Sequence, residues 1–297
     1  MFYLLKYLIV KPLKESTLII CSIVRNAANG LKRNIPLLNS LCKYAKSYKI
    51  IIFENNSLDQ TKAILKEWQY EIGQQNLYLS MYDIENSNVI PSEKEVNVNP
   101  FFCKERISRM VELRNQYMDY ITTQKLEADY LIIVDLDVSR LFLGGILSSF
   151  KLAEDWDAIT ANGYSLSPSF CRRYHDTYAL TEWGKENIPQ DEKQIVRNAN
   201  RYGRLRKNDK LVRVFSAYGG LAIYRFESIK GIRYQLLPNN DSRVEMKCEH
   251  FSIYKQMVEK GFNRIYINPA MSLKYQTVNW RIVYKTLIRW FDNMINA

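Results

Sequence analysis

Two periods of hydrophobic pattern alternate along the first half of the chain. Short aliphatic runs, typical of buried strands, are separated by stretches in which apolar residues recur every three or four positions, as in amphipathic helices. This alternation predicts an α/β fold: a Rossmann-like, nucleotide-binding parallel or mixed sheet flanked by helices, with ligands beyond the carboxyl ends of the strands. Strands are predicted at 17–24, 49–53, 77–82 and 130–135, and helices at 31–45, 60–72 and 104–123.

The pattern becomes looser after residue 137. Short strands are predicted at 157–161, 220–224 and 264–267, and a helix at 251–260. The long segment 165–214 is polar and basic and shows no regular period. We expect it to be an irregular insertion over the site that contacts an acceptor, or a solvated basic face.

The length of the chain suits one large α/β domain or two smaller ones. The chain has 297 residues, 47% of them hydrophobic, and no segment with the composition of an interdomain linker. Its five cysteines are scattered without a C-x-x-C pair, which argues against disulfides or a zinc site and favours a reduced, cytoplasmic setting. The formal charge of +11 predicts an acidic partner, which could be nucleic acid, a sugar-nucleotide diphosphate or an anionic membrane surface.

The two ends of the chain carry apolar segments. Residues 1–10 are too short to span a bilayer, and no cleavage site follows them. From 279 to 296 an aromatic and apolar stripe runs beside a basic stripe, which predicts an amphipathic helix. That helix suits the surface of an anionic membrane, as in a protein peripheral to the inner membrane face, and equally suits docking on its own domain.

The strongest candidate for chemistry is a pair of aspartates at the end of the fourth predicted strand. An aliphatic run leads directly into Asp135 and Asp137, which are two positions apart and therefore point to the same side of an extended chain. Such carboxylates remain ionised together most simply when they share a divalent cation. Oxygen ligands suit Mg²⁺ or Mn²⁺, with substrate phosphates completing the shell; the alternative is a solvated Asp-rich turn.

Further polar residues fall at predicted strand ends and on one helix. Arg114 interrupts the apolar stripe of the helix at 104–123, so it faces inward and must meet an anion, either a buried carboxylate or the phosphates of a ligand. Arg25 and Asn26 follow the first strand. Glu54, Asn55 and Asp59 follow the second, where one side chain suffices to cap the next helix and the others suit ribose or base groups.

Two later motifs precede predicted elements. Gly219 and Gly220 allow a close approach of backbone to a ligand, or simply make a turn. Glu249 and His250 precede the helix predicted at 251–260, where either could remove a proton from an acceptor hydroxyl and His250 could also complete the ligand set of a metal. The other histidine, His175, lies in the irregular segment and is expected to be incidental.

The order of these motifs resembles the glycosyltransferases of the A-type fold, in particular the capsule-associated α-1,3-mannosyltransferase-like group. The resemblance covers residues 17–272. It implies a single domain, with a nucleotide-sugar-binding half at 17–137 and an acceptor-side half at 138–272, between an N-terminal segment, 1–16, and a C-terminal amphipathic helix, 273–297. The motifs that carry it are Arg25-Asn26, Glu54 to Thr61, Arg114-Asn115, Asp135-Leu136-Asp137, Gly219-Gly220 and Cys248-Glu249-His250.

The resemblance implies a metal-dependent, hexosyltransferase-like enzyme. Such an enzyme moves a sugar from a nucleotide-diphosphate donor to a hydroxyl of a glycan or lipid-linked glycan, in surface polysaccharide synthesis. By this similarity Asp135 and Asp137, with His250 as a further candidate, bind Mn²⁺ or Mg²⁺, and Glu249 or His250 lies near the acceptor. Donor contacts are implied for Arg25, Asn26, Glu54, Asn55, Asp59, Arg114, Asp135, Gly219 and Gly220.

The chain also departs from related enzymes, and other functions compete. No Glu-Asp pair precedes the helix predicted at 251–260, so the general base and the stereochemical outcome stay open. A nucleotidyltransferase would carry a glycine-rich phosphate loop near its start, which is absent. A basic nucleic-acid-binding module and a catalytically silent membrane-associated relative are the remaining alternatives. No recognisable nucleic-acid-binding motif is present, so we expect no nucleic-acid partner.

Overall fold

The computed structural model describes residues 10–85, 98–167 and 170–276, together with Tyr284 and Ile288. A 3₁₀ turn at Leu13–Glu15 opens this part of the chain. The strands are β1 Thr17–Val24, β2 Ser47–Asn55, β3 Leu77–Tyr82, β4 Tyr130–Val134, β5 Arg140–Leu141, β6 Ala158–Leu166, β7 Arg172–Tyr174, β8 Thr181–Glu182, β9 Val212–Ser216, β10 Leu221–Arg225 and β11 Ile265–Lys274. The helices are α1 Ala28–Cys42, α2 Thr61–Ile72, α3 Lys104–Thr123, α4 Leu143–Ser149, α5 Glu192–Gly203, α6 Phe226–Ile229 and α7 Glu249–Glu259.

One mixed sheet forms the centre of the described chain. Its strand order is β3-β2-β1-β4-β10-β6-β11-β9-β8, with β5 paired to β11 and β7 to β6. The first four strands are parallel, with Ile20 opposite both Ile50 and Ile132. Strand β10 runs antiparallel between β4 and β6. The predicted α/β fold with a parallel or mixed sheet is confirmed.

Helices cover both faces of the sheet because its central strands are apolar on both sides. Along β1, Leu18 and Ile20 pack with the helices α1 and α2, whereas Ile19 and Cys21 pack on the opposite face with α3 and α7. All five residues of β4 are buried. A strand that is buried on both faces has a continuous aliphatic sequence, which is why β4 is recognisable. Because β4 is a central strand, its carboxyl end lies near the middle of one edge of the sheet.

The segment 165–214 differs from the expectation of an irregular insertion. It contains β7, β8, α5 and the start of β9, and Asp191 caps α5 by accepting a hydrogen bond from the backbone N–H of Gln194, 2.6 Å. Its strands are two to five residues long. Strand β7 pairs with β6, β9 pairs with β11, and β8 pairs with β9. Such short strands leave too few residues for a periodic pattern to be visible.

Both predicted terminal segments fall largely outside the described residues. Residues 1–9 and most of the predicted helix at 279–296 belong to this group, whereas Tyr284 and Ile288 are helical and exposed. Strand β11 extends to Lys274, two residues past the predicted end of the domain. In the described part of the chain, no helix has the length and apolar character needed to cross a bilayer.

Candidate active site

A cleft of about 710 Å³ opens at the carboxyl ends of β1, β2 and β4. This is the edge where parallel strands present their following loops, and it is where ligands bind in open α/β sheets. Predicted site residues in the cleft lining are Arg25, Asn55, Arg114, Asp135, Asp137, Glu249 and His250. The cleft therefore gathers residues from both predicted halves of the chain.

Asp135 is held on three sides. Its backbone N–H donates to the carbonyl of Gly220 at 2.9 Å. The Tyr218 hydroxyl donates to Oδ1 at 2.8 Å, and the Tyr275 hydroxyl donates to Oδ2 at 3.2 Å. Burial raises the pKa of Asp135 to about 7 even though the Arg114 guanidinium opposes that shift, and the neighbouring Asp137 adds to it. An ionised Asp135 thus needs a compensating positive charge beside it.

Asp137 is exposed to the cleft, and helix α1 holds the loop that carries it. The Asn34 side chain donates to the carbonyls of Leu136, 3.3 Å, and Val138, 2.8 Å, and accepts from the N–H of Leu141, 3.0 Å. These bonds satisfy the carbonyls of Leu136 and Val138, which lie outside the strands, and the N–H of Leu141 in the short strand β5. The loop after β4 is consequently fixed from the first helix of the fold.

Arg114 lies inside the protein and meets a carboxylate there. Its Nε donates to Glu249 Oε1 at 2.9 Å, and both side chains are only 5% exposed. A second nitrogen of the guanidinium lies 3.9 Å from Asp135 Oδ1. Burial alone would raise the pKa of Glu249, but the charge of Arg114 holds that pKa at about 2. The sequence predicts either a buried carboxylate or ligand phosphates as the partner of Arg114, and the structure shows the carboxylate, that of Glu249. The guanidinium also lies near Asp135, at the cleft.

His250 follows Glu249 at the start of α7 and is 1% exposed. Its ring stacks on the ring of Tyr218 with 3.9 Å between centroids, and Nε2 lies 3.7 Å from Glu249 Oε1. Neither ring nitrogen has a hydrogen-bond partner among the described residues. Burial and the nearby Arg114 lower the pKa of His250 well below its usual value, so the ring is neutral. An unpaired buried donor of this kind is available to a ligand.

Gly219 and Gly220 form a turn between β9 and β10 with φ of 65° and 87°. A Cβ on Gly219 would lie 2.2 Å from the carbonyl oxygen of Ala161, and one on Gly220 would lie 2.9 Å from the Tyr275 ring. Both positions therefore require glycine for conformation and for space. The turn brings the Gly220 carbonyl to Asp135, which ties it to the cleft.

Three of the predicted donor-binding residues link the turns after β1 and β2. Asn26 accepts from the N–H of Leu58 at 2.8 Å, and Asp59 accepts from the N–H groups of Ala28, 3.1 Å, and Thr61, 3.0 Å. The buried Glu54 accepts from the N–H of Ser57 at 2.8 Å. These side chains cap and join the two turns, and none of the three belongs to the lining of the cleft described above. Their contact with a donor stays a prediction.

Several cleft residues escaped the sequence analysis. Tyr218 lies beside the two glycines and Tyr275 directly follows β11, and neither belongs to a polar motif. Asp176 and His175 lie in the segment 165–214, which shows no regular period. His175 stacks on Tyr275 with 3.9 Å between ring centroids and is not incidental to the cleft. Two arginines of α3, Arg106 and Arg109, add positive charge to the lining. The helical period gave no signal for Arg109, because a residue five positions before Arg114 points to a different side of the helix.

The carboxylates of the cleft suit a hard divalent cation whose remaining coordination positions are filled by a bound ligand. Asp135 and Asp137 offer carboxylate oxygens, and Asp137 faces open space. Among the described residues, no three His, Cys, Asp or Glu side chains gather as a ready-made metal cluster. The role of His250 as a metal ligand therefore stays a prediction. Two carboxylates with vacant positions for phosphate oxygens and water suit Mg²⁺ or Mn²⁺ rather than zinc.

A family profile described as Cryptococcal mannosyltransferase 1 matches residues 18–255. The chain belongs to this family. The match confirms the predicted resemblance to the mannosyltransferase-like group and identifies the chain as a member of a glycosyltransferase family. No curated protein matches the chain.

Three solved structures are among those similar to this chain. The mannosyltransferase PcManGT from Pyrobaculum calidifontis, solved with GDP-Man and Mn²⁺, shares 12% identity at a TM-score of 0.44, over 97% of this chain and 67% of that one. TarS 1-349 from S. aureus, solved with UDP-GlcNAc, shares 12% at 0.41, over 89% and 60%. GalNAc-T7, solved with UDP, GalNAc and Mn²⁺, shares 12% at 0.43, over 88% and 43%. The chain thus spans from about two fifths to two thirds of these proteins.

Proposed function

We propose that this glycosyltransferase is metal-dependent and transfers a sugar from a nucleotide-diphosphate donor to a hydroxyl of a glycan or lipid-linked glycan, in surface polysaccharide synthesis. The observation that carries the proposal is the pair Asp135 and Asp137 at the end of β4, in a cleft large enough for a substrate. Its family gives the class of reaction, and mannose is therefore the first sugar to test.

Charge in the cleft is divided in a way that supports a diphosphate ligand. Among the residues that the structure describes, the buried end holds Asp135, Glu249 and one cation, Arg114. The arginines Arg25, Arg106 and Arg109 lie along the lining nearer α3 and β1. Two acidic groups around one arginine leave the buried end negative, which favours a cation. Arginine along the lining favours the phosphates.

Residues of the cleft would support the departure of the diphosphate from the sugar. A divalent cation bound by Asp135 and Asp137 would neutralise the negative charge that develops on the diphosphate leaving group. Tyr218 and Tyr275 keep the Asp135 carboxylate in one orientation, and Asn34 keeps the Asp137 loop in place. Because these supports are formed by the protein itself, little reorganisation remains for the moment of reaction.

The partners follow from the same features. The donor occupies the cleft, and the acceptor reaches it from the side of the glycine turn and α7. The charge of +11 and the predicted terminal helix favour an anionic membrane surface as the place where a lipid-linked acceptor is met. This part of the proposal is tested by sedimentation with vesicles of anionic and of neutral lipid.

A thermal-shift screen tests the donor and the metal together. UDP-, GDP-, CMP- and dTDP-sugars are each added with and without Mn²⁺, since a ligand specific to the folded state raises its stability by mass action. We expect one nucleotide class to raise the melting temperature, only with Mn²⁺, and EDTA to remove the effect. Stabilisation by the same donor without metal would contradict the proposal.

Substitutions then locate the effect. Asp135→Asn and Asp137→Asn should each abolish the metal-dependent shift and transfer of the sugar to methyl α-mannoside. The matched control is Asp119→Asn, since Asp119 is an exposed residue of α3 that pairs with Arg233 away from the cleft. Wild-type transfer by Asp137→Asn would exclude the pair as the metal site. Donor binding without transfer or hydrolysis in the wild-type protein would indicate a silent relative.

A further inference from the structure

A second cavity lies beside the cleft, and no sequence motif marks it. Its lining comes from the loop at 186–189, from residues 237–240, from the segment 247–255 and from Phe215 of β9. We call this cavity the side pocket. Its volume is about 300 Å³, which is the lower end of the range for pockets that bind small ligands.

One short segment of the chain lines both cavities. Residues 248–250 line the cleft, whereas Lys247 and Phe251, on either side of them, line the side pocket. Neighbouring Cα atoms are about 3.8 Å apart, so little more than one backbone segment separates the two cavities here. The side pocket therefore adjoins the α7 side of the cleft, from which the proposed acceptor approaches.

Hydrogen bonds hold the side pocket in shape. The backbone N–H of Lys247 donates to the carbonyl of Leu237 at 2.8 Å. The buried side chain of Asn239 accepts from the N–H of Gln190 at 2.9 Å and donates to the carbonyl of Gln190 at 2.8 Å. These bonds join three segments of the lining. A pocket that is formed before its ligand arrives loses little binding free energy to reorganisation.

The interior of the side pocket is apolar. The rings of Phe215 and Phe251 are 4.9 Å apart between centroids, and both side chains are buried. Leu237, Pro189 and Pro238 supply the remaining apolar lining. A surface of this kind suits the C–H groups on one face of a sugar ring.

Polar groups without protein partners surround this apolar surface. Glu186 Oε2 is buried and has no hydrogen-bond partner among the described residues. Asn187 and Asn240 are exposed, and neither side-chain amide makes a hydrogen bond within the part of the chain that the structure describes. Since buried polar atoms are normally paired, the free oxygen of Glu186 indicates a place for a ligand that donates.

The lysines of the side pocket do not make it an anion site. Lys247 Nζ donates to the carbonyl of Glu186 at 3.0 Å and lies 4.3 Å from the centroid of the Phe251 ring. Burial lowers the pKa of Lys247, and the charge of the Glu186 carboxylate opposes that shift. Lys255 lies 3.9 Å from the carboxylate of Glu259, also on α7. Carboxylates of the protein thus accompany both positive charges.

We propose that the side pocket binds a sugar unit of the acceptor glycan other than the unit whose hydroxyl reacts. This inference rests on the proposed function. A sugar offers a C–H face to the apolar lining, hydroxyls that donate to Glu186, and oxygens that accept from Asn187 and Asn240. A phosphate would meet the unpaired carboxylate of Glu186, and a purely apolar ligand would leave the polar groups without partners. The enzyme therefore prefers acceptors of two or more sugars.

The experiment compares acceptors of different length. Transfer is measured at saturating Mn²⁺ from the nucleotide sugar that the thermal-shift screen identifies, with GDP-mannose tested first. The acceptors are oligosaccharides of mannose, glucose and galactose of two to five units, and the methyl glycosides of the same sugars. We expect kcat/KM for the best oligosaccharide to exceed that for its methyl glycoside by about tenfold or more, as one or two added hydrogen bonds provide.

Substitutions in the 186–189 loop locate this preference. Asn187→Trp fills the side pocket from an exposed position and should lower kcat/KM for the oligosaccharide to the value for the methyl glycoside. Asn187→Ala and Glu186→Ala each remove one polar partner and should reduce the preference by about 3–10-fold. Asn208→Trp and Asn208→Ala are the matched controls, because Asn208 is an exposed loop residue that lines neither cavity, and both should keep the preference.

Calorimetry with the same oligosaccharides and no donor tests the side pocket without catalysis. The best oligosaccharide should bind to the wild type and to Asn208→Trp but not to Asn187→Trp. Equal kcat/KM for oligosaccharides and methyl glycosides in the wild type would overturn the inference, as would an unchanged preference in Asn187→Trp. Oligosaccharide binding that Asn187→Trp abolishes, without transfer from any donor, would support the side pocket and refute the proposed function instead.

Discussion

Gly30 lies directly against the backbone of Asp137: a Cβ at Gly30 would come within 2.7 Å of the Asp137 Cα and 2.3 Å of the Leu136 carbonyl oxygen. Contacts this short involve backbone atoms, so the loop after β4 would have to move to admit even a methyl group. The first turn of α1 and the acidic loop are thus packed at the closest distance that a glycine allows.

Gly30→Ala should therefore displace Asp137 and impair metal-dependent activity. We expect the KM for Mn²⁺ to rise at least tenfold and kcat to fall, while circular dichroism shows a folded protein. Gly144→Ala is the matched control, because Gly144 is an exposed helical glycine of α4 with no atom within 4 Å of its Cβ position. Gly144→Ala should leave the kinetics unchanged and stabilise the helix by about 0.5–1 kcal/mol. Equal kinetics for the two variants would show that the loop adapts freely.

The pair Arg114 and Glu249 gives a second prediction, on stability. Arg114→Met leaves a buried carboxylate without its partner, so the free energy of unfolding should fall by about 3–5 kcal/mol. Adding Glu249→Gln to that variant removes the unpaired charge and should restore a large part of the loss. Urea unfolding of the two single variants and the double variant measures the coupling between the residues. Additive losses would mean that the two side chains act independently.

Tyr218 and Tyr275 orient the carboxylate of Asp135 and are not expected to bind the metal ion themselves. Tyr218→Phe and Tyr275→Phe each remove one hydrogen bond to the carboxylate. We expect a several-fold increase in the KM for Mn²⁺ or for the donor, and a loss of about 1 kcal/mol in stability. Initial rates at varied Mn²⁺ measure the first effect, and urea unfolding measures the second.

Tyr130→Phe provides the comparison for these variants. Its hydroxyl donates to the carbonyl of Lys11 at 2.9 Å, and Tyr130 begins β4, whereas the cleft lies at the other end of that strand. The stability loss should be similar, since one hydrogen bond is removed, but the response to Mn²⁺ should match wild type. If all three variants share the same metal dependence, the tyrosines of the cleft have no role in holding Asp135.

The sequence predicts the parts of the site that depend on local pattern. The aliphatic run of β4 is buried on both faces, so its end with Asp135 and Asp137 is recognisable without the structure. The sequence predicts the helix of Arg114 at 104–123, which are its observed bounds, because its twenty residues show several turns of one period. Long, regular elements carry their own signal.

Residues that meet only through tertiary packing could not be found in this way. Tyr275 is distant in sequence from Asp135, and Asp176 lies in a turn between two- and three-residue strands. The partner of Arg114 was likewise open between a carboxylate and phosphates, because an inward-facing arginine specifies the sign of its partner but not its identity. These contacts form because the strand order of the sheet places segments that are distant in sequence next to each other.

Asn34 provides the last prediction, since it holds the acidic loop by hydrogen bonds alone. Asn34→Leu has nearly the same size but leaves the carbonyl of Val138 and the N–H of Leu141 without their partner, which costs about 1–3 kcal/mol for each buried group. We expect lower stability together with a raised KM for Mn²⁺. Asn39→Leu on the same helix removes a 2.9 Å hydrogen bond from Trp68 and lies away from the loop, so it should lower stability only. Unfolding curves and Mn²⁺ titrations of both variants test this, and a normal Mn²⁺ response in Asn34→Leu would show that the loop keeps its shape without the asparagine.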